Sequence, residues 1–261
     1  MQLDEHPFQV LGINSRTCKQ EIFECAEALA ARSQSDKLAA FRFQVTHPIK
    51  RLDAEVSWFP GVAPARIRQI IDTINRDLSL PVKFEEKLPG IDCLCKFNAL
   101  TYWLGTHDGV SPPAWGLALH QLSHCIESVS PEDIAETVNA DRSAAGFPAI
   151  ADFDAVRSAV TRHADAAAAF LAERLTRCPQ HAQVLALIVE RRTDRGESQA
   201  SEFLGRFVDR YQIQVQPILE KHRDAIAVRC ERVLAIAQGG ATDAIAMDAA
   251  IEDLEEKLSE W

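Results

Sequence analysis

Two histidines one helical turn apart, His120 and His124, with Cys125 and Glu127 close behind, form the densest cluster of chemistry-bearing side chains in the chain. Histidines at i and i+4 can ligate one metal ion. A zinc peptidase helix needs a glutamate directly after the first histidine as general base. Gln121 stands there, and an amide cannot abstract a proton. On a helical wheel Trp115, Leu119, Leu122 and Ile126 form the buried stripe, and the two histidines point to roughly the opposite side. The enzyme alternative is therefore a metal- or cysteine-dependent hydrolase built on His120, His124, Glu127 and Cys125, with His120 and His124 as its metal ligands. Cys93-Leu94-Cys95 has one intervening residue and no second pair, whereas zinc knuckles use wider spacings and two pairs. These cysteines read as small buried or half-buried thiols. Gly239-Gly240 is not followed by the lysine and hydroxyl residue of a phosphate loop. Ser57 and Ser111 lack the context of a nucleophile elbow. No catalytic residue is assigned on this basis, and no cofactor is expected.

The elements that carry these residues all have helical periodicity. Ile67, Ile70, Ile71, Ile74 and Leu78 give the clearest amphipathic stripe, stopped by Pro81. Asp92 caps a helix predicted over 93–104, with Gly105 as its stop, and another is predicted over 115–128. Ser130-Pro131-Glu132-Asp133 combines a capping serine, a proline in the first turn and two acids, and Gly146 and Pro148 end that helix. Val82-Lys83-Phe84 could be a stub of strand but has no pairing partner nearby. Asp152 opens a long helix, and Phe203 starts the longest pattern, which Pro217 should bend or split. After Gly239-Gly240 comes an acidic helix with Met247, Ile251, Leu254, Leu258 and Trp261 on one narrow seam. That seam predicts a fold back along the preceding helix, with docking onto another chain as the alternative. The fold class is all-α: a short helical module over 1–60, a helical domain over 61–149, and a long-helix bundle over 150–261 that ends in a helical hairpin.

The first of these segments carries a family resemblance. Pro7-Phe8-Gln9-Val10-Leu11-Gly12, helices predicted over 19–32 and 37–45, and the run Pro48-Ile49-Lys50-Arg51 together resemble the frame of a J-domain, a co-chaperone module. The resemblance covers about residues 6–60. It implies a short first helix, an antiparallel helical pair, and a closing run in which Lys50 and Arg51 cap or brace the third helix. In that family a histidine-proline-aspartate triplet between the second and third helices stimulates the ATPase of the partner chaperone. Here that junction reads Ala31-Arg32-Ser33-Gln34-Ser35-Asp36, and His47-Pro48 is followed by Ile49. The resemblance thus implies a degenerate J-like module. A further helix is predicted over 51–59. Trp58 and Phe59 read either as core against the body or as an aromatic pair for a partner.

Composition narrows the partner type. Of 261 residues 47% are hydrophobic, enough for a folded core. The net charge is −10, which argues against nucleic acid or an anionic membrane, because both need clustered cations. The basic concentration at Arg174, Arg177, Arg191, Arg192 and Arg195 reads as a solvated, ion-paired rim. No apolar run approaches a membrane span. The seven cysteines are odd in number and scattered, and no signal-peptide layout opens the chain, so a reducing cytoplasm is expected. The functional expectation is a non-enzymatic helical adapter, chaperone-associated or an accessory subunit of a bacterial multi-protein system. It would bind protein partners through Lys50, Arg51, Trp58, Phe59, Leu254, Leu258 and Trp261, with self-association through the last helix as one route.

Overall fold

The computed structural model describes residues 3–32, 37–194, 201–238 and 244–259, with side chains described over 3–32, 37–190, 201–237 and 247–255. Every regular element among them is helical, as the all-α expectation requires. A 3-10 turn at Leu3–Glu5 leads into α1 (Pro7–Val10), α2 (Lys19–Ala30), α3 (Lys37–Thr46), α4 (Pro48–Val56) and α5 (Pro64–Arg76). After the short α6 (Phe84–Lys87) come α7 (Cys93–Thr106), α8 (Pro112–Glu127), α9 (Pro131–Ala145) and α10 (Phe153–Thr176). The chain ends with α11 (His181–Asp194), α12 (Glu202–Gln238) and α13 (Ala244–Ser259). It divides into two compact units, Met1–Arg210 and Tyr211–Trp261. The positions read from sequence as boundaries, near 60 and 149, both lie inside the first unit.

The helix ends obey local chemistry. Asp92 accepts from the Cys95 amide at the start of α7, Ser130 from the Asp133 amide at the start of α9, and Asp152 from the Asp154 amide at the start of α10. Gly146 closes α9 in the left-handed region, at φ 70°. Other ends differ from expectation. α5 stops at Arg76, so Leu78 lies beyond it and is 67% exposed. Gly105 sits inside α7, because α7 is buried nearly all round and packing overrides the weak propensity of one glycine. Val82 lies in a turn, and Phe84 begins α6 instead of a strand. α12 is assigned as one helix through Pro217.

α7 is the centre of the first unit. Leu100, Trp103 and Leu104 on it are fully enclosed. Its far end grips the end of α5: Trp103 Nε1 donates to the Asp77 carbonyl at 2.7 Å, and His107 Nε2 lies 2.8 Å from the Ile74 carbonyl. A second cluster joins α4 to α9 and α10 through Leu52, Val56, Ile134, Val138, Val156 and Ala159. The 146–150 stretch, read as a linker, is tied down. Asn139 exchanges two hydrogen bonds with Ile150, and Phe147 lies under the Arg51 guanidinium at 3.8 Å.

Within the second unit, Asp253 of α13 pairs with Arg229 at 3.2 Å and Arg232 at 3.8 Å of α12. Arg229 and Asp253 are equally far from the last residue of α12 and the first residue of α13, so α13 folds back antiparallel along α12. Ala250 is buried and Met247 and Leu254 are half-buried, whereas Ile251, placed on the seam from sequence, is 39% exposed. Leu258 and Trp261 lie outside the described side chains.

Candidate functional site

The run that resembles the J-domain closing motif is a buried charge network. Arg51 is 0% exposed. Its Nε donates to Glu55 Oε1 at 2.7 Å, its Nη1 to the Val45 carbonyl at 2.8 Å, and its Nη2 to the Ser15 carbonyl at 2.6 Å. The Val45 bond satisfies an end carbonyl of α3, so Arg51 braces that helix. Arg142 of α9 donates from Nε to Glu55 Oε2 at 2.8 Å and from Nη2 to the Pro48 carbonyl at 2.9 Å. Next to it, Asp141 accepts from the Ser15 hydroxyl at 2.6 Å, Arg16 Nε at 2.7 Å and the Gly61 amide at 2.8 Å. Burial pushes Arg51 below its ordinary pKa and Glu55 above the carboxylate range, and the two guanidiniums beside Glu55 oppose the latter shift. Ser15, Arg16, Pro48, Glu55 and Gly61 are thereby clamped to α9.

The burial of these residues bears on the partner expectation. Arg51, Trp58 and Phe59 are core residues: Arg51 spends its hydrogen bonds inside the unit, and Trp58 and Phe59 their ring contacts. Lys50 is exposed. His47 is the cap of α4: its Nδ1 faces the Lys50 amide, and Pro48 occupies the first turn. Residues 33–36 of the expected triplet junction lie outside the described ones, as does Trp261, and the side chain of Leu258 is not among those described.

Gly61 is fixed by its backbone. It sits at φ +74°, and a Cβ there would stand 2.5 Å from Thr137 Cγ2. Gly61→Ala should lower stability by about 1–3 kcal/mol in chemical unfolding. Adding Thr137→Ser should recover the share due to the methyl clash and leave the share due to φ. An unchanged transition in Gly61→Ala would show that the clamp yields at this point.

The residues singled out for chemistry are dispersed. His120 is half-buried, His124 and Glu127 are exposed, and Cys125 is buried on the other side of α8. No group of three or more histidine, cysteine or acidic side chains with metal-binding spacing occurs among the described residues. Burial pushes the Cys125 thiol up to about 12, with Cys93 beside it adding to the shift. Cys95 turns away to the Pro60 carbonyl at 3.6 Å, and burial drives its thiol well above the ordinary range. The Cys93/Cys95 pair is thus split, and high thiol pKa values make poor nucleophiles. Arg174 pairs with Asp108 and Arg177 with Glu173. The side chains of Arg191, Arg192 and Arg195 lie outside the described ones.

Sequence reasoning missed a histidine–serine pair. His6 Nε2 lies 3.1 Å from Ser57 Oγ. His6 Nδ1 accepts the Phe8 amide proton, so Nε2 carries the hydrogen and donates to the serine. Ser57 Oγ passes its own proton to the Asp53 carbonyl at 2.8 Å. The polarity is opposite to that of a general base activating a nucleophile. Burial holds His6 near a pKa of about 3 and His163 near about 4. His163 Nε2 donates to Asn98 Oδ1, and Asn98 Nδ2 donates to the Val56 and Trp58 carbonyls. This fastens the end of α4 to α7 and α10.

That scaffold holds the floor of a groove. Trp58 stacks on His6 at 4.5 Å and meets Phe8 edge-on at 6.1 Å. Between α1 and α5 lies a cavity of about 460 Å³, with Trp58 and Phe8 in its lining, Ile67 and Ile71 from α5, and Arg68 on the α5 side. A second cavity, about 340 Å³, shares Gln9 and Ile71 with the first and continues to Asp4, Asn75 and Thr106. The first of the two is a trough between α1 and α5 in which Phe8, Trp58 and Ile67 are nearly enclosed and Gln9 and Arg68 are exposed. The signal in sequence was the aromatic pair at 58–59, whose destination only the packed fold reveals.

Compared with models of protein families, with curated proteins and with solved structures, the chain matches none.

Proposed function

We propose that this chain is a non-enzymatic helical adapter, with a J-like module lacking its ATPase-stimulating triplet at its start, that works by binding protein partners in a reducing cytoplasm. The observation that carries this reading is the lining of the α1–α5 trough. Its lining holds aromatic and aliphatic side chains, two amides and one guanidinium, with no carboxylate, imidazole or thiol to move a proton or attack a bond. Such a lining can hold an apolar segment and orient it. The capping role of His47-Pro48 supports the degenerate character of the module, since this pair is used to start α4. Among the described residues no helix is long and apolar enough to cross a membrane.

Two measurements test this. A photo-crosslinking side chain at Gln9, on the trough wall, should trap a protein of defined mass in cells that make the chain, and the same group at exposed Val82 should not. Absence of any protein adduct at Gln9 would overturn the adapter function. In a steady-state assay the chain should leave the ATPase of a seventy-kilodalton heat-shock chaperone unchanged. A saturable, several-fold stimulation would overturn the degenerate module.

A further inference from the structure

Cys93 and Cys125 meet across one helical hairpin. The short loop 107–111 turns α8 back along α7, so the start of α7 stands beside the end of α8. Cys93 lies 13 residues before Thr106 at the loop end of α7, and Cys125 lies 13 residues after Pro112 at the loop end of α8. Both therefore stand at one level of the hairpin. Both are free thiols, and their side chains are in hydrogen-bonding contact. Cys95, two positions on, faces the Pro60 carbonyl instead.

The two sulfurs differ in access. Cys125 is 2% exposed. Cys93 is half-buried and lines a cavity of about 220 Å³ between the starts of α7 and α9, beside Ser128, Val129 and Ser130. A small oxidant entering that cavity meets Cys93 first. Lys96, one turn along α7 from Cys93, favours the Cys125 thiolate and is itself held by Glu85 at 2.7 Å. Burial and the neighbouring Cys93 outweigh it, and the Cys125 thiol is pushed up to about 12. A thiol held that high attacks slowly, which suits a response to sustained oxidant and not rapid turnover.

We propose that Cys93 and Cys125 form an oxidisable dithiol, a modification site that takes hydrogen peroxide or another small hydroperoxide at Cys93 and closes as a disulfide onto Cys125. In the first step the Cys93 sulfur attacks one peroxide oxygen and the O–O bond breaks. Cys93 becomes a sulfenic acid, and the other oxygen leaves as water with the thiol proton. In the second step the Cys125 sulfur attacks the Cys93 sulfur and the S–O bond breaks. Hydroxide leaves as water with the Cys125 proton. The two thiols together give up two electrons, and one peroxide becomes two waters. A dithiol reductant reopens the bond by thiol–disulfide exchange. The bridge ties the start of α7 to the end of α8, at the edge of the cavity that Asp133 and Thr137 of α9 also line.

The test exposes the reduced full chain, freed of reductant, to a modest molar excess of hydrogen peroxide. Remaining thiols are blocked with iodoacetamide, and the chain is digested without reduction and sequenced by mass spectrometry. The parent should lose two alkylatable thiols per chain and yield peptides joined through Cys93 and Cys125, while Cys18, Cys25, Cys178 and Cys230 stay alkylatable. Dithiothreitol should restore both thiols. In Cys125→Ser the link should vanish and dimedone should label Cys93 as a sulfenic acid. In Cys93→Ser the enclosed Cys125 should stay unmodified. Should either variant fail to fold, the linked peptides of the parent decide the matter alone. No Cys93–Cys125 link in the parent, a link formed no sooner than pairs among the other cysteines, or a link from Cys95 in place of Cys93 overturns the proposal. Cys93 running on to sulfinic acid in the parent as fast as in Cys125→Ser overturns it as well, because Cys125 would then not be capturing the sulfenic acid.

Discussion

Glu55→Gln should cost the first unit about 3–5 kcal/mol. The side chain keeps its size, but the carboxylate that answers two buried guanidiniums is gone. Arg51 and Arg142 each lose a charge-assisted hydrogen bond, at 2.7 and 2.8 Å. Neither can shed its charge, because arginine stays protonated in proteins. Arg51 is held in place by two carbonyls and two aromatic rings, so it cannot swing out to water. Thermal unfolding should show a midpoint lowered by roughly 6–20 °C. Lys50→Ala, one residue before Arg51 but exposed, should shift it by less than about 0.5 kcal/mol. Similar midpoints for Glu55→Gln and Lys50→Ala would mean that the network tolerates a missing charge and that α9 is not clamped through it.

That contrast between neighbours also shows what the sequence could express. Helix starts were legible because their causes are local: Asp92, Ser130-Pro131 and Asp152 each act within three residues. The α5 stripe was legible because burial repeats with the helical turn. Arg51 and Glu55 at i and i+4 look in sequence like an exposed surface pair. They are interior because Arg142 and the Ser15 carbonyl, distant along the chain, complete their hydrogen bonds. Nothing local distinguishes Arg51, with its full burial, from Lys50, with its exposure, except register on α4. The same holds for the trough. Phe8 and Ile67 are apolar at plausible positions, but only the packing of α1 beside α5 makes them two walls of one cavity. His6 and Ser57 are 51 positions apart, and their polarity depends on which nitrogen the Phe8 amide uses. The short-range grammar of the chain sets its helices, whereas partners over long separations set its interior charges and its groove.

The buried histidines make the fold sensitive to acid. His6 and His163 lie in the interior, where burial favours the neutral ring, and charge on His163 would further oppose charge on His6. Their pKa values fall from 6.5 to about 3 and about 4. The unfolded chain binds protons at both positions below 6.5, and the folded chain does not until far lower pH. The stabilisation is therefore complete above pH 6.5 and is lost progressively as pH falls toward 4 and then 3. Between pH 7.5 and pH 5 each histidine should withdraw about 2 kcal/mol, about 4 kcal/mol together. Denaturant unfolding at the two pH values measures the difference. The double variant His6→Gln, His163→Gln should flatten it, because glutamine at 163 can still donate to Asn98 Oδ1 but gains no proton in the unfolded state. An equally steep pH dependence in that variant would move the acid sensitivity to the carboxylates and leave the two imidazoles as neutral spacers behind the Trp58 floor.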